Sequence, residues 1–278
     1  QQYGWDLYAH QWIQTMPLES LRPLTDKTLS FGLLNDVEQW TLLDPVYKAY
    51  TKDLCGYAER GEKEWKRLLG SFFAEGVNIA VVKNDEGQIE GYAVYRLGAP
   101  EIPVTEFVYT TRRAQRGLLN YFYNHRSQGE SIRWNEGLHD TGYRFVPDGK
   151  TGHTTMPYMM VRIVDVETAL TTVPVNPEAV MMPITLNIKV TDTLCDWNNG
   201  VFALTLGEST LPNVKRVSAE SVDEIDITID IGGLTVLLMG AVSAKDLVFE
   251  GKLQGESHWI DYLDMVYPKE NTYINEWW

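Results

Sequence analysis

Most of the residues in this sequence that could do chemistry sit in patterns that argue against it. Asp148-Gly149-Lys150-Thr151 has the form of the end of a phosphate-cradling loop. Such a loop needs a glycine five positions before Gly149 so that backbone amides can close on phosphate, and Arg144 stands there. A glycine turn is the better reading. His139-Asp140 and His153 share the same segment. Zinc requires three or four convergent ligands, and no His or Cys pair has a helical or knuckle spacing, so no metal is expected. There is no G-x-S-x-G, which leaves a nucleophilic serine unsupported.

Three other places keep a functional reading open. Arg112-Arg113-Ala114-Gln115-Arg116-Gly117-Leu118 follows an expected strand and opens an expected helix, a geometry that aims free backbone amides at an anion. Asp165, Asp223, Glu224, Asp226 and Asp230 give the second half its acidity. They form either a solvated sheet face or a negative field that draws in a polyamine or amino sugar. The sequence closes on Glu276-Trp277-Trp278. Tryptophans are costly to leave in water, and docking them in a cavity would carry a carboxylate inside. A desolvated carboxylate has the raised pKa of a proton acceptor. Core docking alone is the plainer account of the same residues.

The elements that must position these residues are of both kinds, an α+β pattern. Residues 1–34 read as irregular, interrupted by Pro17 and Pro23. Asp36 then has the character of an N-cap for a helix through Trp40, Leu43 and Tyr47, disturbed by Pro45. Trp65, Leu68, Leu69, Phe72 and Phe73 make one apolar stripe of a helix over about 62–75, ended by Gly76. Strands are expected at 77–83, 89–97 and 104–109, the first two joined as a hairpin through Asn84–Gly87. A helix over 112–127 and a strand over 131–135 follow. Residues 136–157 carry Gly137, Gly142, Pro147, Gly149, Gly152 and Pro157 and read as a long connection. Beyond it come a strand at 158–164, a short helix at 166–172, and an antiparallel pair at 185–190 and 201–206. The alternation of Ile225, Ile227, Ile229 and Ile231 is the strongest strand signal. Helices at 234–239 and 257–267 complete the pattern.

Composition bounds the function. With 24 Lys+Arg against 38 Asp+Glu, the chain carries a formal charge of -14. A nucleic-acid-binding surface is therefore not expected. Residues 1–163 hold 18 basic and 20 acidic residues and the remainder 6 and 18, which places a boundary near 160. Only Cys55 and Cys195 are present, in keeping with a reducing, cytoplasmic setting. No apolar run approaches the roughly 20 residues of a membrane span. A chain that opens on Gln1 within an aromatic stretch reads as a piece of a longer protein.

Three segments carry a resemblance. They are Met160–Val166, Leu186–Asp192 running on to Trp197-Asn198-Asn199-Gly200, and Leu234–Ala244. Together they resemble the C-terminal part of Eis-type (enhanced intracellular survival) acetyltransferases. That family has a catalytic GNAT domain, a second GNAT-like domain without a working cofactor site, and a sterol-carrier-protein-like domain. The resemblance implies a connector from a missing catalytic domain over 1–34, a GNAT-like mixed α/β domain over 35–157, and a sterol-carrier-protein-like α+β domain over 158–278.

The family implies acetyl transfer from acetyl-CoA to amines, with small cationic acceptors such as aminoglycosides or lysine side chains, and a homo-oligomeric protein when intact. Its C-terminal carboxylate acts as the base, which transfers to Trp278. Glu276 and Trp277 would line the substrate cavity, and Asp165 would contact the cationic substrate. GNAT enzymes seat the coenzyme A pyrophosphate on a loop reading Gln/Arg-x-x-Gly-x-Gly/Ala. Here Gly117 comes one step late after Arg113 and Leu119 fills the last small position, so Arg112, Arg113 and Gly117 form a degenerate loop. Acetyl-CoA is then expected on the missing domain and not on this chain. A carrier module binding a lipid or sterol in an apolar tunnel is the alternative.

Overall fold

The computed structural model describes residues 3–98, 100–137, 152–207 and 209–276. The chain divides into two compact units. One comprises residues up to Ala9 and 157–272, the other residues 10–156 and those from Tyr273 onward.

The unit of residues 10–156 is organised by a seven-stranded sheet. Its strands are β1 (Asp6–Pro17), β2 (Ser30–Leu34), β3 (Asn78–Lys83), β4 (Ile89–Tyr95), β5 (Glu101–Tyr109), β6 (Ser131–Glu136) and β7 (Gly152–Val161), in the order β2-β3-β4-β5-β6-β1-β7. The division between units falls within β1 and β7. The irregular reading of residues 1–34 is thus corrected. Twelve of them form β1, and Pro17 is its last residue, where a missing N–H disturbs the ladder least. The connection expected over 136–157 ends in β7, and its stretch from 138 to 151 lies outside the described residues.

Both faces of this sheet are covered. On one, α1 (Trp40–Thr51) and α2 (Glu62–Ala74) pack Leu43, Tyr47, Trp65 and Leu69 against Ile79, Val81, Tyr92 and Val108. On the other, α3 (Arg112–Tyr123) and the 3-10 turn Leu18–Leu24 pack Leu118 and Phe122 against Ala93, Val104, Phe107 and Trp134. The β3–β4 hairpin is set by Asn84, whose Oδ1 accepts from the amides of Glu86 and Gln88, and by Gly87 at φ +81°.

Two irregularities in β5 matter later. Val94 pairs with Glu106 but Tyr95 with Val104, so Thr105 is an extra, bulged residue. The bulge resets the alternation: Val104 and Phe107 face the same side, and Glu106 turns to the other. In addition, the parallel β5–β6 ladder runs only from Glu101–Ser131 to Val104–Trp134.

The second unit holds a five-stranded sheet in the order β10-β9-β8-β11-β12. These are β8 (Ile184–Thr191), β9 (Gly200–Leu206), β10 (Asn213–Val217), β11 (Ile227–Asp230) and β12 (Leu253–Gly255). Leu186, Ile188, Val190, Ile227 and Ile229 face a core closed by α4 (Val166–Thr172), α5 (Ile231–Leu238), α6 (Ala244–Phe249) and α7 (Ser257–Val266). The strand expected to run through Ile231 stops at Asp230, whose carboxylate accepts from the Gly233 amide and caps α5. Among the described residues, no helix is long and apolar enough to cross a membrane.

Candidate functional site

The most heavily built polar site lies in the first unit, where the tail reaches the α1–α2 face of the sheet. Arg60 precedes α2 in a loop, and its guanidinium lies over the rings of Tyr47, at 4.2 Å, and Trp65, at 4.7 Å. It donates to both Glu106 oxygens, at 2.7 and 3.2 Å, and its Nε donates to Glu276 Oε1 at 2.8 Å. Nη2 contacts the same Glu276 oxygen. Tyr92 donates its hydroxyl to Glu106 Oε2 at 2.7 Å. Burial works against the Arg60 charge, but the Glu106 carboxylate outweighs it and pushes the guanidinium pKa up. Burial, then Glu106, pushes the Tyr92 pKa up as well, so this hydroxyl stays a donor.

Two further bonds hold the tail. The Tyr273 amide donates to the Cys55 carbonyl at 2.9 Å, with the Tyr273 ring edge-on to Tyr50. Asn275 Nδ2 donates to the carbonyl of Thr105, the bulged residue of β5. Beside Glu276 opens a cavity of about 400 Å³, walled by Leu68, Phe72, Val77 and Pro103 with Arg67 on its lining. Glu276 lines this cavity while also bound to Arg60. Trp277 and Trp278 lie outside the described residues, as do His139, Asp140 and the whole Asp148–Thr151 turn.

The start of α3 has another character. Thr111 caps it, accepting from the Ala114 amide at 3.0 Å. Arg113 is engaged with Asp85 and with Thr28 Oγ1, and Arg116 with the carbonyls of Leu24 and Thr25. A Cβ on Gly117 would come within 2.7 Å of Leu29 Cδ1, so this glycine admits the protein's own leucine. Behind it, the wedge where β5 and β6 stop pairing is occupied. Glu136 accepts from Trp134 Nε1 at 2.6 Å and from Gln14 Nε2, Gln115 donates to the Tyr109 hydroxyl, and Arg112 donates to Gln115. The space left there is about 10 Å³, room for one water. A pantetheine arm and pyrophosphate do not fit this loop and wedge. Burial pushes the Glu136 carboxyl up to about 7, against the pull of Trp134, Arg112 and the glutamines.

In the second unit, Asp165 is the N-cap of α4, its Oδ1 accepting from the Thr168 amide at 2.7 Å, which holds its carboxyl below the usual range. Asp226 accepts from the Asn187 amide and Asp230 caps α5. These carboxylates therefore have local backbone work. Asp192, in the segment that carries the resemblance, binds Arg162 Nη2 at 2.7 Å, the amides of Leu194 and Cys195, and Asn198 Nδ2. His153 packs edge-on to Trp12. Among the described residues, no group of three His, Cys, Asp or Glu side chains is placed to hold a metal.

Sequence reasoning missed Arg60, Glu106, Tyr92, Asn275 and Glu136. The available signal was a glutamate at a core-facing position of each of two strands, Glu106 in β5 and Glu136 at the end of β6. Nothing in the sequence marked Arg60.

The fold and these sites define a class. Residues 56–163 match the acetyltransferase (GNAT) domain family and residues 166–275 the sterol carrier protein domain family. The chain thus carries a GNAT acetyltransferase fold followed by a sterol-carrier-protein-like domain, the α+β arrangement expected from the sequence. Among solved structures it is similar to a probable N-acyltransferase of Enterococcus faecalis, with a TM-score of 0.84 and 22% identity over 100% of this chain and 69% of that one. A GCN5-related N-acetyltransferase from Anabaena variabilis gives 0.80 and 18% over 99% and 69%. Eis1 from Mycobacterium abscessus gives 0.66 and 20% over 99% and 69%. No curated protein matches.

Proposed function

We propose that this chain is the acceptor-side part of an Eis-type, acetyl-CoA-dependent N-acetyltransferase acting on small cationic amines. The observation that carries the reading is the anchored tail. Tyr273, Asn275 and Glu276 are each bonded within a GNAT-fold unit, and the loop that opens α3 is filled by the chain's own Thr111 and Leu29. The acetyl donor is then held by a further domain, and this chain supplies the acceptor's proton sink. In that role the carboxylate of Trp278 takes a proton from the ammonium of the acceptor, leaving a neutral nitrogen able to attack an acyl carbon. The excess of acidic residues after position 163 adds a negative field that favours a polycation.

The test is acetyl transfer to a polyamine by this chain joined to a donor-binding domain, with Trp278 present and removed. Removal is expected to lower kcat at least about 100-fold, the usual scale for a lost general base. An unchanged kcat would overturn the assignment. Calorimetric titration of acetyl-CoA into this chain alone is expected to give no saturation. Saturable binding lost in Arg113→Ala would return the cofactor to α3.

A further inference from the structure

We infer that Arg60 is a positioning residue and that Glu276 is the latch by which it fixes the tail. The inference rests on the reading that the tail carries the proton acceptor. Arg60 and Glu106 already form a complete pair: two parallel hydrogen bonds, a third donor from Tyr92, and side chains 3% and 4% exposed. One cation and one anion are neutral together. Glu276 adds a second carboxylate to the same guanidinium.

Taking that extra charge out of water is unfavourable, and an apolar side chain in its place would serve core stability better. What the third partner contributes is location. It ties a residue 216 positions downstream to a guanidinium that two aromatic rings and Glu106 hold in one orientation. Asn275 adds direction, since the carbonyl it finds is freed from the regular β4–β5 ladder by the Thr105 bulge. With Tyr273 bonded to Cys55, the backbone is held on both sides of Ile274, which is buried. The latch therefore sets where the chain leaves the α1–α2 face.

The experiment compares the wild-type chain with Glu276→Gln and Glu276→Ala. Timed release of tryptophan by a carboxypeptidase reads the latch, and thermal melting reads the fold. Release is expected to be at least about ten-fold faster, equivalent to a tenfold larger open population. The melting temperature is expected to stay within about 2 °C, because the Arg60–Glu106 pair remains. In a protein that includes its acetyl-donor domain, the same variants are expected to lower kcat about ten-fold with the KM for acetyl-CoA unchanged, and Glu276→Asp to recover part of it.

Wild-type release from either variant overturns the latch. So does a fall of more than about 5 °C, which would make Glu276 a core stabiliser. Faster release with an unchanged kcat leaves the latch standing and overturns the carboxylate as base.

Discussion

Both units bury an arginine against a carboxylate, and the two arrangements differ in what they connect. In the sterol-carrier-like unit, Arg162 has Asp192 as its carboxylate partner and also donates to the Tyr3 carbonyl and to Cys195 Sγ, and the aspartate's remaining acceptor sites are filled by the amides of Leu194 and Cys195 and by Asn198. Asn198 in turn accepts from the Val166 amide, and Asn199 binds the Asp192 amide. Around Asp192 itself, the partners other than Arg162 lie within seven residues. In the GNAT-fold unit one arginine serves two carboxylates, and its partners come from a strand 46 residues on and a tail 216 residues on. Arg162 gives its other donors to a backbone carbonyl and a thiol, whereas Arg60 takes a second carboxylate, and the tail with it. That difference, more than burial, separates a staple from a latch.

The comparison can be broken most directly at Asp192. Burial alone would raise its carboxyl, but hydrogen bonds from Arg162 and Asn198 and the two amides hold it at about 2, below the 3.8 of the unfolded chain. Its contribution is therefore complete above pH 3.8 and lost as pH falls through about 2. Asp192→Ala leaves Arg162 buried without its partner, and a loss of about 3–5 kcal/mol is expected in urea unfolding at pH 7. A loss no larger than that of Glu276→Gln would erase the distinction drawn here.

Glu136 sharpens it from the other side, as a buried carboxylate whose donors do not offset its desolvation. Its folded pKa of about 7 lies above the unfolded 4.5. The folded state therefore binds more protons between those values, and stability falls as pH rises from 4.5 to about 7, then levels off. Glu136→Gln removes the charge while keeping the shape. It is expected to stabilise the protein by about 1–3 kcal/mol at pH 8 and to change little at pH 4.5, read as a smaller difference in melting temperature between the two pH values.

The smallest effect belongs to an exposed carboxylate. Asp165→Ala removes only the cap of α4, for about 1 kcal/mol by denaturant titration. If the same change also raised the KM for a polyamine more than a few-fold, Asp165 would have the acceptor contact expected of it in addition.

Legibility followed the range of the interactions. The α2 stripe and the alternation in β8 and β9 are local repeats against a continuous apolar core, and they could be read directly. β1 could not, because Asp6, Gln11 and Gln14 occupy buried positions and hide its apolar pattern. β10 is a short edge strand with Lys215 and Arg216 exposed, polar for the reason edges usually are. The Ile225–Ile231 alternation was cut at both ends, since the strand begins at Ile227 and capping by Asp230 starts a helix at Ile231. Glu276 was named from the tail, but its partner sits in a loop whose sequence carries no periodic signal. Pairings across 46 and 216 positions are properties of the topology.

The grouping of Tyr273–Glu276 with residues 10–156 has a consequence for the order of assembly during synthesis. The seven-stranded sheet has all its strands once Val161 has been made, but the partner that Arg60 and the Thr105 carbonyl await emerges more than a hundred residues later. Until then the α1–α2 face carries an open guanidinium site and an open backbone acceptor. Closing that face therefore waits until residues 273–276 have been made.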